Sequence, residues 1–446
     1  MVCLGAFIAP LGMASVNVAI PALAQELSAS GILVSWVPTA VLVANIICML
    51  PAGKLADNWG RKRVFQLGIV INALAGISAY FASGMWWLLA MRFMQGMGAA
   101  MIFATSMAIL ISVFPVHRRG LPLGLNAACV YLGLTLAPAL GGWVTHYLGW
   151  RFVFLLPLPL VSIVLVLSFF YVKGEWRNAK GERFDWRGAL LLATWAITLV
   201  FGFTSLPSPV GFFTLCASCL LFAGFVWGQL NSKAPLIRVQ MFSESRLFSM
   251  SLAAALFMYA SSYPLGFLLS LYLQYVLGLS AADAGQIMLS QALAMAVVAP
   301  FAGKLADFFP ARILSSVGCG LTLAGFFLLH QLQLSTTGFY ISVALGLVGV
   351  GFGLFSSPNN LAVMQAAHPS ETGVASATLN LARVSGNLVG MSLVNLLVYS
   401  LIGDRPLTGA LAEPILATFL HALELSMSFV ALAVIFSLLR GKACAR

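Results

Sequence analysis

Charge is scarce in this sequence. Only 8% of its 446 residues are Asp, Glu, Lys or Arg, while 61% are hydrophobic, and the mean hydropathy is +0.99. A soluble domain carries about a quarter charged residues, so this chain cannot cover itself with a water-compatible surface. A soluble globule is excluded, and a membrane protein is implied. Acids are the scarcer sign, 12 against 23 Lys and Arg, for a net charge of +11. That balance does not mark a nucleic-acid binder, because the basic residues are scattered through short connectors instead of lining one face or tail. The seven cysteines are dispersed, mostly in apolar runs, and make no disulfide framework. Cys216 and Cys219 in LCASC have the spacing of a redox or metal pair, but no His or acid lies near them. They read as packing residues, and no metal or cofactor site follows. The sequence also lacks a phosphate-binding glycine loop, paired catalytic acids and a nucleophile elbow, which argues against an enzyme.

Apolar length is what the chain has in excess. With about 20 residues per bilayer crossing as the ruler, we read fourteen spans: 1–23, 32–53, 64–83, 86–113, 121–145, 152–172, 188–205, 210–230, 247–276, 284–305, 312–333, 337–366, 372–401 and 415–439. The first basic residue is Lys54, so the first apolar run reads as a span rather than a signal peptide. Placing both termini in the cytoplasm puts 19 of the 23 Lys and Arg residues on that side. Only Arg151 and Arg405 fall outside, and Arg92 and Arg383 lie within spans. The positive-inside rule supports fourteen crossings in this orientation, and the expected fold class is an all-α polytopic membrane protein.

An internal repeat divides the chain. GKLADNWGRKRV at 53–64 returns 250 residues later as GKLADFFPARIL at 303–314. A Leu-Asn pair in GLNAACVYLG at 124–133 recurs 254 residues on in TLNLARVSG at 378–386. Each connector joins the second and third span of a six-span set. Two six-helix bundles, 1–172 and 247–446, are therefore expected on either side of a linker at 173–246 with two extra spans. Repeated halves around a site near the bilayer midplane mark alternating-access transporters.

In the connector, Gly53 and Gly60 allow a tight turn, Asp57 is placed to cap the following helix, and Arg61 lies within reach of that acid or of lipid phosphates. The expectation is a gating latch of Gly53, Asp57, Gly60 and Arg61, with Gly303 and Asp307 in the second copy. A plain positive-inside loop is the alternative for the basic residues. The second copy has Pro310 and Ala311 where the first has Gly60 and Arg61. In the fifth span Gly133, Ala137 and Gly141 recur every fourth residue, a small face for close helix approach, and Pro138 bends the segment. Such a face suits an interface that seals and reopens; ordinary tight packing accounts for the same residues.

These motifs resemble the major facilitator superfamily, and in particular its fourteen-helix drug:proton antiporter branch. GKLADNWGRKRV is similar to the signature between the second and third helices, and VNVAIP at 16–21 to that of the first. MRFMQGMGAA at 91–100 resembles the fourth-helix signature, with Arg92, Gln95 and Gly96 in matching places. LGLTLAPALGG at 132–142 resembles the fifth-helix antiporter signature, with Gly133, Pro138, Gly141 and Gly142 matched and Ala137 where glycine is usual. PLIRVQMF at 235–242, LYLQYVLGLSAADAG at 271–285 and GVGFGLFSSPNN at 349–360 also look like this branch. The resemblance implies the major facilitator fold, secondary transport of a small-molecule substrate, H+ as coupling ion, and a monomer in a lipid bilayer, the bacterial inner membrane. One departure matters. The family usually has an aspartate just before VNVAIP, and here that place is Gly12, with no acid until Glu26.

Charges within spans are costly and mark candidate sites. Arg92, Arg383 and Glu424 are the three by this reading, and Asn17, Gln95, Asn126, Gln291, Asn380 and Asn387 add hydrogen-bonding capacity. Interhelical bonding accounts for each amide as well as a substrate contact does. We expect Arg92, Gln95, Asn17, Asn126, Arg383 and Asn387 at the substrate, and Glu424 with His421, one turn before it, as the pair that responds to protons. A polar helix end at which Glu424 snorkels to water is the alternative. The expected function is proton-coupled export of drugs or amphipathic metabolites. Transport of one metabolite or organic anion with another coupling ion stays open, as does a sensor or scaffold that keeps the fold without transport.

Overall fold

The computed structural model describes the chain apart from residues 115–119, 171–173, 177–184, 207, 233–234, 238, 307, 367–371, 404–410 and 441–446. The helical side chains at 57, 107, 111, 120–124, 127–128, 131, 204, 372–374 and 376–377 also lie outside the described set. Among the described residues there are helices and no strands.

The first half consists of α1 (Val2–Glu26), α2 (Gly31–Trp59), α3 (Arg61–Tyr80), α4 (Met85–Val113), α5 (Gly120–Tyr147) and α6 (Leu158–Phe170), the last preceded by a 3-10 turn at Trp150–Phe154. Two helices follow, α7 (Trp186–Thr204) and α8 (Pro209–Asn231), then a short α9 (Gln240–Glu244). The second half is α10 (Arg246–Leu271) with a π turn at Tyr272–Val276, α11 (Ala281–Leu305), α12 (Ala311–His330), α13 (Gly338–Ala366), α14 (Thr372–Leu401) and α15 (Ala412–Leu438). Among the described residues 13 helical segments are long and apolar enough to cross a bilayer. α5, at 28 residues, completes the fourteen. Each expected span falls on one of them.

Polar residues punctuate these helices where the sequence leaves apolar territory. Ser30, Asp185, Ser208, Ser245 and Ser280 each accept a backbone N–H of the first turn, at α2, α7, α8, α10 and α11. Packing between helices depends on small residues, because lipid tails compete with any apolar contact. A Cβ on Gly68 of α3 would lie 2.8 Å from the Gly98 carbonyl of α4, and one on Gly318 of α12 would lie 2.6 Å from the Gly351 carbonyl of α13. The same backbone-to-backbone approach thus occurs in both halves.

In the first half α5 packs on α1, and α4 on α2 and α3; in the second, α14 and α15 pack on α10, and α13 on α11 and α12. α7 lies against α2 and α14, one from each half, and α8 covers α7. We call the membrane face carrying Gly60 and Pro310 the connector face, and the opposite one the far face. Among the described residues, the hydrogen bonds between the halves lie at the middle of the membrane or toward the far face. Thr135 of α5 donates to the Ala292 carbonyl of α11 at 3.0 Å, and Asn395 of α14 donates to Thr39 of α2 at 3.1 Å. Gln274 and Tyr275, at the end of α10, donate to the Val18 and Pro21 carbonyls of α1 at 3.0 and 3.1 Å. Among the described residues these bonds hold the middle and the far face of the two halves together, and none lies at the connector face.

Candidate functional site

Arg92 sits on α4 below the far-face closure. Its side chain is 1% exposed. Nε donates to the Val37 carbonyl of α2 at 3.2 Å, and Nη1 donates to Oε1 of Gln95, one turn on, at 2.9 Å. Gln95 is anchored in turn, because its backbone carbonyl accepts from Asn72 of α3 at 3.2 Å. The other Nη has no partner. Arg92 is also close enough to Tyr263 of α10 for an electrostatic interaction, which links the two halves. A guanidinium buried with only neutral acceptors is costly, so its retention marks a site rather than a packing choice.

The second arginine lies nearer the connector face. Arg383 of α14 is half-buried. Nη1 donates to Asn380 at 3.3 Å, Nη2 donates to Asn360 of α13, and Nε is a buried donor with no acceptor. The guanidinium lies 5.3 Å from the ring centroid of Tyr259 on α10. Tyr259 itself stands edge-on to Phe352 at 5.1 Å. Tyr259 and Tyr263 are one helical turn apart on α10, about 6 Å in rise. One tyrosine serves each arginine.

The remaining expected amides are spread along the membrane normal, with Asn126 near the connector end of α5 and Asn387 at the middle of α14. Asn17 is 9% exposed, and its Nδ2 lies 3.2 Å from where a Cβ on Gly266 of α10 would stand. Asn126 and Asn387 each have a buried Oδ1 without a partner. Asn45 and Asn395 share that property and escaped the sequence reading, as did Tyr259, Tyr263 and Asn360. The i, i+4 tyrosines in the tenth helix were the available signal; an isolated asparagine in an apolar run gives none.

His421 and Glu424 do not join this region. Both are exposed on the outer surface of α15. The expected pairing between them is not the one that forms: His421 Nδ1 contacts the Ala417 carbonyl at 2.7 Å. Glu424 instead meets Nε2 of His330, the last residue of α12, at 3.2 Å. An acid one turn from a histidine on one helix was a plausible pair, but the neighbouring helix offers a second imidazole. Glu26, the first acid in the chain, is also tied elsewhere, to Arg151 and to the Trp150 indole N–H, the latter at 2.7 Å, at the far face.

The latch differs from its expected form. Gly60 is the turn residue, with φ at +128°, which explains why glycine is needed there. Gly53 and Gly303 lie inside α2 and α11 with open space beside them, so neither makes the turn. Asp57 belongs to α2, whose helix runs on to Trp59; its side chain and all of Asp307 lie outside the described residues. The described cap on α3 comes from further along the chain. Glu175, in the connection between α6 and α7, accepts from the Lys62 amide at 2.9 Å, and the Trp176 carbonyl accepts from the Arg61 amide at 3.1 Å. Arg61 is 8% exposed and turns inward, donating to the Ala108 carbonyl at 2.9 Å and to Ser112, at the end of α4. It therefore does not reach lipid phosphates.

The fifth helix has two small faces rather than one. Gly133 and Gly141 sit against Phe7 and Ser15 of α1 in their own half, whereas Gly142 and the Pro138 carbonyl face Ala281 and Gly285 of α11 in the other.

A many-helix bundle in two halves, closed at one face around buried basic and amide side chains, is the architecture of a membrane transporter. Residues 2–391 match the family described as the Major Facilitator Superfamily, and the chain belongs to it. It is 29% identical over 424 residues to the uncharacterized transporter YebQ of Escherichia coli strain K12, covering 93% of this chain and 92% of that protein. It is 28% identical over 400 residues to the multidrug resistance protein Stp of Mycobacterium tuberculosis, covering 88% and 73%. A solved POT family transporter in complex with 5-aminolevulinic acid superposes with a TM-score of 0.72 at 14% identity, covering 98% and 95%. The chain is thus a multi-pass transporter of the multidrug-efflux type within this family, not an enzyme.

Proposed function

We propose that this protein exports drugs or amphipathic metabolites across the bacterial inner membrane by alternating access, as a monomer with its connector face and both termini in the cytoplasm, driven by the proton gradient. The observation that carries the reading is the one-sided closure of the halves. Their hydrogen bonds gather at the middle and the far face, so Arg383, Asn380 and Asn360 open toward the connector face, where basic residues concentrate. This is the loading state of an exporter. Arg92 and Gln95, with Asn17 near their depth and Asn387 and Asn126 successively nearer the connector face, line the path that opens next, while Gly60, Arg61 and Glu175 steady the connector and Gly142 and Pro138 seal the far face. Resemblance to a multidrug resistance protein supports drug export.

The test is substrate-dependent proton movement in proteoliposomes under an imposed pH gradient, with ethidium as first substrate. Proton flux that rises with ethidium or with salicylate only in protein-containing vesicles is expected; no difference from empty vesicles with either compound refutes it. A second reading, transport driven by another ion or by the substrate gradient alone, rests on a specific observation. Among the described residues every acid but Glu424 lies at a helix end or in a connector, and Glu424 faces outward. Ethidium flux that persists when the pH gradient is collapsed selects this second reading.

A further inference from the structure

We propose that Arg383, with Asn360, Asn380 and Tyr259, is a carboxylate-binding subsite that fits this transporter to aromatic organic anions; the inference rests on the transport reading and names its substrate class.

The argument begins with donors and acceptors. A guanidinium carries five N–H groups and is always charged. Around Arg383 the chain supplies two acceptors, both neutral amide oxygens, on Asn360 and Asn380. Nε is left buried without an acceptor, and among the described residues no carboxylate pairs with this arginine. A buried donor normally finds a partner, so the protein alone leaves this group incomplete. The two asparagines hold the Nη groups and fix the fork, leaving the Nε edge to donate to the two oxygens of one carboxylate side by side.

Position and surroundings narrow the ligand further. Arg383 is half-buried where the halves diverge, so a molecule entering from the connector face reaches it before the sealed Arg92. Tyr259 lies under the guanidinium and against Phe352, and Phe355 follows at 6.4 Å from Phe352. An aromatic wall continuous with a cation suits a flat ring bearing an acid group, because the ring stacks while the carboxylate is held. A lipophilic cation would meet like charge at Arg383 and again at Arg92, with no acid to offset either. Arg92 on α4, which interacts electrostatically with Tyr263 one turn of α10 beyond Tyr259, then gives the anion a second station as the halves exchange closure.

The test uses the full chain, purified and reconstituted, with salicylate as the aromatic anion, salicyl alcohol as its neutral counterpart and ethidium as the cation. Equilibrium dialysis should give salicylate a Kd about tenfold or more below that of salicyl alcohol, and proteoliposomes should accumulate it in a protein-dependent way. Arg383→Gln should remove that preference. Asn360→Asp is the companion variant, because it places a carboxylate on the guanidinium without opening a cavity; it should weaken salicylate about tenfold while the protein remains monodisperse. Equal affinity for salicylate and its alcohol, or unchanged salicylate binding in Asn360→Asp, overturns the subsite. Ethidium flux without salicylate binding refutes the anion inference and leaves transport standing. Salicylate binding with no flux of either compound upholds the subsite and refutes the transport reading.

Discussion

Replacing Gly285 with alanine tests whether α5 and α11 make the contact that closes the far face. The added Cβ would lie 2.3 Å from the Pro138 carbonyl oxygen, 3.1 Å from its carbon and 3.3 Å from the Gly142 Cα. All three neighbours are main chain. A carbonyl inside a helix cannot rotate away as a side chain can, so α11 must move outward as a body. Overpacking of this kind costs about 1–3 kcal/mol. The cost applies only while the far face is closed, because the opposite state separates these helices and relieves the clash. It therefore enters the conformational equilibrium directly, and a coupling of that size shifts populations about 5- to 150-fold. Spin labels on cysteines introduced at Gln25 and Ser335, exposed at the far ends of the two halves, report the change once the seven native cysteines are replaced. Pulsed dipolar spectroscopy should show the longer-distance population rising at least about fivefold in Gly285→Ala. Gly224→Ala, with nothing within 4 Å of the new methyl, should leave the distribution unchanged. An unaltered distribution in Gly285→Ala would refute the closure argument, since a real contact at 2.3 Å cannot absorb a methyl group silently.

Arg92→Lys and Arg92→Ala should both abolish transport at normal membrane levels, because lysine's single nitrogen does not reproduce the rigid fork that reaches the Val37 carbonyl through Nε and Gln95 through Nη1; substantial flux in the lysine variant would mean that charge alone suffices. Glu175→Gln removes the anionic cap of α3, an effect of about 0.5–2 kcal/mol. Its Arg63 partner is half exposed and adds little. Trypsin should then cut at Lys62 and Arg63 several-fold faster, and an unchanged rate would detach Glu175 from the latch. Glu424→Gln should keep the wild-type pH profile of transport, since the side chain looks away from the cavity; a flattened profile would bring the His330–Glu424 pair back into coupling.

The number of the helices was legible because apolar length reports on crossings one segment at a time. The repeat was legible for a related reason, since the connector copies retain identical letters. Packing partners were not. Gly133, Pro138, Gly141 and Gly142 read as one small stretch, and only the fold assigns two of them to α1 and two to the opposite half. The cap of α3 was invisible for the same reason: Glu175 lies 113 residues beyond the amide it accepts from, and no local rule selects it over Asp57. Arg92 and Arg383 stood out because charge within a span is rare. Their tyrosines did not, because an aromatic in an apolar helix is ordinary until a cation is placed over it.

The asymmetry between the two connectors has a structural counterpart in the α12–α13 seam. Arg61 and Ala311 occupy matching places 250 residues apart. In the first half the Arg61 guanidinium reaches from α3 to the end of α4 and ties the two helices together. The second half has no arginine at that place, yet the seam between α12 and α13 is not left without one. Arg440, just beyond α15, is 1% exposed and donates to Ser315 of α12 at 3.3 Å and to Asn359 of α13 at 2.5 Å. Ser315 lies four residues past Ala311, one turn deeper, so the guanidinium enters from a different helix and binds further in. Each half thus keeps a buried arginine near its connector end, but only the first also carries the Glu175 cap and the basic run at 61–63. A rocking bundle needs each half to move as a rigid body, and one arginine per seam provides that.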